Sequence, residues 1–440
     1  MFVPSVPRDI PLPLPAPRPL LETLLIVAFV AHIAFVNLTV GGAILVLGFE
    51  VRGLRNRDYD KVARVLADAL TVNKSLAVVL GVGPLLLLSV LYTIHFYTAN
   101  ALTGTAWMLV IPAVTAVFLL FYLHKYSWDA LATQKQLHIA IQALAVGILL
   151  FVPFVFLGNV TLMMYPERWT ETHGFLSVLS IPEIFPRYFH FLSASLVLTS
   201  LFGVGWFGRA RFPFETTFEA LERHRLRRDF YTIALVVSLA QFVVGPVVLA
   251  TAPSAGLHWT SLTAILLGVV MAIPAVWMMW KEVTANEETR GRFTLIVAQL
   301  GLTVLCMASG RQMIRGIALD EHRRAIAAET ARWEEESAQA AYDRQAGRTR
   351  AARGGSEGGE AFAATCAACH GVDRRVVGPP LTEIASLYSG NANGIVTWAL
   401  APGKKRPDFP QMPSMAALGE AKLRAIAEYM LETGRKASGR

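Results

Sequence analysis

The sequence predicts an all-α protein: a polytopic transmembrane helix bundle of about eight spans, followed by a small C-terminal all-α domain. Three observations predict it. The 440 residues are 54% hydrophobic and only 16% charged, with a mean hydropathy of +0.46, a membrane protein's composition. Apolar runs long enough to span lie near 21–48, 74–98, 105–126, 138–164, 187–208, 230–252, 260–280 and 293–316. After residue 317 these runs stop, and short amphipathic segments take over.

Each run reads as a helix because lipid offers no hydrogen bonds, so a spanning segment must satisfy its own backbone. The net charge of +8 and pI near 9.5 are compatible with nucleic-acid binding, but the placement of the charges argues against it. Arg52, Arg55, Arg57, Lys61 and Arg64 follow the first run, and Lys125 and Lys135 follow the third. Arg209, Arg211, Arg223, Arg225, Arg227 and Arg228 follow the fifth, and Lys281, Arg290 and Arg292 the seventh. The alternate loops, 99–104, 165–186 and 253–259, carry almost none. The positive-inside rule places the basic loops in the cytoplasm. The expectation is a multi-pass protein of the bacterial inner membrane, with both termini on the periplasmic side.

Met1 to Pro19 is rich in proline and lacks the basic-then-apolar layout of a cleaved signal, so the first span reads as retained. Residues 1–317 form the expected membrane domain. Residues 318–354 read as a charged, solvated helical linker, with a flexible stretch from Gly354 to Gly359. Residues 355–440 form the expected C-terminal domain.

That last domain contains Cys366-Ala367-Ala368-Cys369-His370. A Cys-x-x-Cys-His run is the attachment signature of a c-type heme: two thiols take the vinyl groups and the imidazole becomes the proximal iron ligand. A Cys-x-x-Cys also serves as a redox dithiol or half a zinc site. No second cysteine pair exists, because the third cysteine, Cys306, lies in an apolar run and reads as a small buried hydrophobe. Gly358 and Phe362 precede Cys366 on a predicted helix. In Gly378-Pro379-Pro380-Leu381 the Pro379 carbonyl is placed to accept the His370 Nδ1 proton. Phe409-Pro410-Gln411-Met412-Pro413 then supplies a thioether, with Met415 as its competitor, and an amphipathic helix near 418–433 carries Ile426 and Tyr429. This order resembles class I cytochrome c domains, and the resemblance implies Met412 as distal ligand. A periplasmic domain agrees with the orientation read from the loops, since heme is attached this way outside the cytoplasm.

Imidazoles are costly in a bilayer and are functional candidates by default. His32, His95, His124 and His190 fall within runs, and His138 lies at the cytoplasmic mouth of the fourth. Each also has a plain reading as a hydrogen-bonded packing residue. His32, His95 and His190 share the outer half, which points to one or more b-type hemes held between facing helices. Arg311 and Arg315, with Arg187, lie at the outer ends of their runs, where guanidinium groups suit heme propionates or anchor the interface. Trp107, Trp128, Trp169, Trp259, Trp277 and Trp280 read as interfacial belts.

The membrane region also resembles subunit I of cytochrome bd quinol oxidases. The resemblance is carried by Ala31-His32-Ile33-Ala34-Phe35-Val36-Asn37-Leu38-Thr39-Val40-Gly41, Gly81-Val82-Gly83-Pro84, Asn159 to Pro166 with Met163 and Met164, Pro186-Arg187-Tyr188-Phe189-His190, and Gly310-Arg311-Gln312. It implies His32 and His190 as heme ligands. The sequence departs from that family at several points. Ala308 stands where a heme-ligating Glu is expected, the third span has no acidic residue before Asp129, and no Met lies near Ala264, although His258 precedes it. The short connection 253–259 leaves no room for a long quinol-binding loop.

The reading is a membrane-bound respiratory cytochrome that passes electrons between b-type heme in the bundle and one covalent heme c in the periplasm. Two alternatives stand beside it: a bd-like oxygen reductase subunit taking electrons from cytochrome c instead of quinol, and a heme-bearing anchor subunit of a larger redox complex. The expected partners are membrane lipid, periplasmic electron carriers or redox subunits of a multisubunit complex, and quinone.

Overall fold

The computed structural model describes residues 14–285, 292–353 and 357–439. The proline-rich start over 1–13, Arg290 of the last basic loop, and Gly354 at the head of the expected flexible stretch lie outside the described residues. The chain divides into two compact units, residues 1–330 and 331–440.

In the first unit α1 (Arg18–Gly53) is followed by α2 (Arg57–Ala69), α3 (Thr71–Leu91), α4 (Thr93–Thr103), the single turn α5 (Thr105–Met108), α6 (Val110–Tyr126) and α7 (Lys135–Leu162). Then come α8 (Phe175–Val178), α9 (Ile184–Gly208), α10 (Phe214–Thr217), α11 (Arg223–Thr251), α12 (Trp259–Thr284), α13 (Arg292–Ala318) and α14 (Asp320–Arg353), whose first turns complete the unit. Among the described residues there is no β-strand, only an isolated bridge between His370 and Arg375. Among the described residues seven segments are long and apolar enough to cross a bilayer, and the shorter apolar Ser75–Leu91 adds an eighth. The expected second span, 74–98, is not one helix: the backbone leaves helical geometry at Tyr92 (φ −135°, ψ 43°). Gly104 (φ 47°, ψ −113°) then turns the chain before α5, in a conformation closed to residues with a Cβ.

Register between α1 and α9 supports counting Ser75–Leu91 as a crossing. Ser195 Oγ donates to Asn37 Oδ1 at 3.0 Å. Further along, Phe49 packs on Phe230 and Phe230 on Phe207. Both levels carry the same offset of 158 residues, so α1 and α9 run parallel, which requires an odd number of crossings between them and so a third beside Thr93–Tyr126 and Lys135–Leu162. At one end of the bundle Phe293 meets Gly205; at the other Arg311 lies over Phe29. The start of α1 and the end of α13 therefore share one end of the bundle, as an even number of crossings demands.

The helices are apolar all round because one face packs inward and the other meets lipid. Ile111, Leu119, Val243 and Leu266 are largely exposed. Trp259, Trp277 and Trp280 are exposed near the ends of α12, with Lys281 against the last two rings. Trp128 departs from the expected belt: it is buried, with its ring against His124 and His138. Cys306 is half-buried where α13 crosses Gly268 of α12.

Asn56 caps α2 by accepting from Asp58 N, and Val62, Ala63 and Leu66 bury one face of this helix in the core around Phe49, Tyr59 and Phe230. The expected solvated linker begins inside the first unit, because Leu319, Ile326 and Thr330 are buried.

The second unit holds α15 (Glu357–Thr365), α16 (Leu381–Tyr388), α17 (Ala392–Leu400) and α18 (Glu420–Ala437). Leu423, Ile426, Ala427, Met430 and Leu431 of α18 close its core over Phe362, Leu381 and Val396. Tyr429 packs on Phe362 with ring centroids 5.4 Å apart and the rings tilted by 43°. Gly358 and Gly359 are not linker residues. They lie in α15 where it crosses α18, and a Cβ on Gly358 would come 2.0 Å from the Ala425 carbonyl oxygen.

Candidate functional site: two groups of histidines

In the second unit, α15 delivers the attachment motif. Cys366 N donates to Phe362 O at 2.8 Å, and His370 N to Cys366 O at 3.0 Å, so the motif continues the helix as a turn. Cys366 is buried and Cys369 exposed. Burial pushes the Cys366 thiol up, against a smaller opposing effect from the Thr365 hydroxyl. His370 Nδ1 lies 2.8 Å from Pro379 O. A carbonyl only accepts, so Nδ1 carries the proton and Nε2 the free lone pair, the tautomer an iron ligand needs. Gly378 lies flat against this ring: a Cβ there would come 2.6 Å from His370 Cε1. Val377 N and Gly378 N both donate to Cys369 O, which ties the loop back on the motif.

Met412 lines an open cleft of about 580 Å³ with Ala401, Pro402, Gly403, Gln411, Pro413 and Ser414. Met415 packs on the same core but does not line the cleft, and its backbone N bonds Ala399 O. The donor set of a c-type heme is therefore present: two thiols, an oriented imidazole and a thioether in a cleft.

In the first unit, α1 and α9 place His32 and His190 at one level. Each lies five residues before the Asn37–Ser195 bond. The His32 ring rests on α3, at the Ala77 carbonyl and on Gly81, where a Cβ would come 2.9 Å from Cε1. The His190 ring faces α11 near Gly245, while Gln241 Nε2 donates to its own carbonyl. The Nδ1 atoms of both rings are buried with no hydrogen-bond partner. So are Nε of Arg311, Nε of Arg315 and one terminal nitrogen of Arg187. Arg311 lies over Phe29, one turn from His32. Arg315 is tied to Gln312, which donates to the Tyr92 hydroxyl. Arg187 is paired with Glu183 at 2.8 Å and bonds Thr161. Buried donors without partners are rare and costly, and this end of the bundle gathers several. Imidazole lone pairs beside guanidinium groups fit a porphyrin iron with its propionates.

His95 is not brought to that level as a free ligand. Its Nε2 bonds His322 Nδ1 at 2.9 Å, and both rings meet Trp169 edge-on. Burial lowers the His322 pKa and favours the neutral ring such a bond uses. His322 had no sequence signal, since the charged segment around it reads as solvated. His258 is exposed and caps α12 against Thr260.

At the opposite end, His124 and His138 converge on Glu50 of α1, all three fully buried. Glu50 escaped the sequence reading, although an acidic residue at the inner end of an apolar run, before the basic loop, is its signal.

A family model described as cytochrome c matches residues 355–434. Cytochrome c-551 of Pseudomonas denitrificans is 33% identical over 81 residues, which cover 17% of this chain and 96% of the relative. The chain therefore belongs to the cytochrome c family through its C-terminal residues: it is an electron-transferring heme c protein joined to a multi-pass membrane helix bundle.

Proposed function

We propose that the chain is a respiratory relay in which the bundle holds b-type heme near one face and exchanges electrons with the covalent heme c of its own C-terminal domain. The single observation that carries this reading is the level shared by His32 and His190, with buried, unpartnered Nδ1 atoms and unpartnered guanidinium nitrogens on Arg311 and Arg315. Heme, when bound, supplies a one-electron iron couple. His32 and His190 face different neighbours, α3 and α11, so they serve separate irons in this reading. His95 is committed to His322 and ranks behind them.

In the C-terminal domain His370 and Met412 are the axial pair, which gives a higher potential than two imidazoles. Cys366 and Cys369 are the covalent anchors. Pro379 fixes the His370 tautomer, and Gly378 leaves room for the ring. The bd-type subunit I scaffold is part of the proposal, as is a periplasmic position for the start of α1, the end of α13 and the heme c domain. Ala308 leaves no carboxylate at its position, which favours electron transfer over oxygen chemistry in this chain.

The test separates covalent from extractable heme in His32→Ala and His190→Ala. Each variant is expected to lose acid-acetone-extractable heme while covalent heme stays at one per chain. Unchanged extractable heme in both contradicts the assignment.

A further inference from the structure

The inner end of the bundle contains a cluster that electron transfer at the other end does not use. Glu50 is completely buried at the end of α1. His124 Nε2 lies 2.9 Å from Glu50 Oε2, and Lys135 Nζ 2.7 Å from Glu50 Oε1. Lys135 also reaches Asp60 at 2.6 Å. His138 Nδ1 hydrogen-bonds Glu50 Oε1, and His138 Nε2 lies 2.8 Å from the carbonyl oxygen of His124. The two imidazoles stack with centroids 4.1 Å apart, and Trp128 covers them.

Proton bookkeeping decides what this arrangement holds. The His124 carbonyl can only accept, so His138 Nε2 carries a proton. In a neutral ring Nδ1 then has a lone pair. The Lys135 ammonium, 3.3 Å away, can donate to that lone pair, but the direct contact with Glu50 Oε1 is then one between two acceptors. A proton between His138 Nδ1 and Glu50 turns that contact into a hydrogen bond. Charge balance asks for the same thing: two carboxylates, Glu50 and Asp60, face one ammonium, Lys135, leaving one uncompensated negative charge in a buried site. Of the other charged groups nearby, Arg64 of α2 pairs with Asp129 of the loop after α6, Lys125 of α6 with Asp68, Lys61 with Asp58 and Glu219, and Arg52 with Asp229, while Arg57 is exposed.

We propose that this cluster is a proton-binding site, in which one proton is shared between His138 Nδ1 and Glu50. A divalent metal has the same donors, but Lys135 Nζ occupies the space beside Glu50 Oε1 and lies 3.3 Å from His138 Nδ1. A proton fits between these groups without displacing the ammonium. A second observation is a small polar void next to the cluster. Beside His124 lies a cavity of about 20 Å³, bordered by Thr39, Gly42, Ala43 and Gln142. It has room for about one water. Gln142 Oε1 is buried there without a hydrogen-bond partner, while its amide donates to Ala43 O. A water in this cavity would donate to Gln142 Oε1 and lie beside His124. Glu50 lies 18 positions after His32 on the same helix, roughly 27 Å along its axis. The proposal therefore stands whether or not the far end binds heme b.

Nitrogen-15 NMR of the full chain in lipid, labelled at histidine and assigned with His138→Gln, tests it. At pH 8 a free imidazole is neutral by about thirtyfold. The proposal expects His138 to show two protonated nitrogens at pH 8, and Glu50→Gln to convert it to a neutral ring. Lys135→Met, which alters a partly exposed side chain, acts in the opposite direction: the imidazolium signal then persists to higher pH. Thermal unfolding of the bundle, followed by circular dichroism of the full chain in lipid, reports that each variant is folded. A neutral His138 with bare Nδ1 at pH 8 in the unaltered chain overturns the proposal. So does one equivalent of bound transition metal that Glu50→Gln removes, which makes the occupant a metal ion instead of a proton.

Discussion

The two ends of the bundle solve the problem of buried polar groups in opposite ways. At the Glu50 end the imidazoles, carboxylates and ammonium bond one another. At the His32 and His190 end, ring nitrogens and guanidinium nitrogens are buried without partners. The Glu50 network is internally bonded, with Gln142 Oε1 unpartnered beside it, and such bonding stabilises the fold. An open set of donors costs stability unless something else completes it. Unpartnered ring and guanidinium nitrogens, more than histidines as such, are what motivate the proposal of heme at the His32 and His190 end.

The largest expected effect separates the ends outright. His32→Ala or His190→Ala removes a whole equivalent of extractable heme, whereas His124→Gln removes none, as read from heme extracted per mole of chain. Heme loss on His124→Gln breaks the comparison. Next is Glu50→Ala, which strands His124, His138 and Lys135. Removing one member of a buried charged network costs about 3–5 kcal/mol, expected as earlier thermal unfolding with the heme content of the folded fraction unchanged.

A control outside both ends is Gly358→Ala, where the added Cβ meets the Ala425 backbone at 2.0 Å. Overpacking of this kind costs about 1–3 kcal/mol. Calorimetry should show it in the transition of the C-terminal domain and not in that of the bundle. Asp58→Ala is comparable or smaller. It orphans the backbone N–H groups of Glu219, Ala220 and Leu221, at about 1–3 kcal/mol.

The smallest effect is one of pH. Burial pushes the Asp58 carboxyl up, but its bonds from Ala220, Glu219 and Leu221 outweigh that and hold it below the usual carboxylate range. As pH falls, the unfolded chain takes up this proton first. Its contribution is complete above about pH 4 and is lost as pH falls through the folded value. Asp58→Asn should flatten the acid limb of a stability profile and leave the neutral region flat.

What the sequence disclosed follows from how local each feature is. The attachment motif was readable because covalent chemistry fixes its spacing within five residues, and Pro379 because it acts nine residues away. The apolar runs were readable because lipid imposes length and composition on each helix separately. The break at Tyr92 was not, since no proline or glycine occupies the position. The Glu50 cluster joins residues 74 and 88 positions apart, and the His95–His322 pair residues 227 apart. No periodicity encodes such meetings. Gly358 and Gly359 read as linker because glycine serves both flexible chain and close helix crossings, and only the Ala425 and Tyr429 contacts tell the two apart.

The central claim is that one end of the bundle is built to bind heme that the C-terminal domain does not supply. The pyridine hemochrome spectrum of the purified full chain measures this directly as the ratio of heme b to heme c. One heme c per chain with at least one heme b beside it is the expected result. A spectrum of heme c alone would contradict it and leave the bundle as an anchor for the cytochrome c domain.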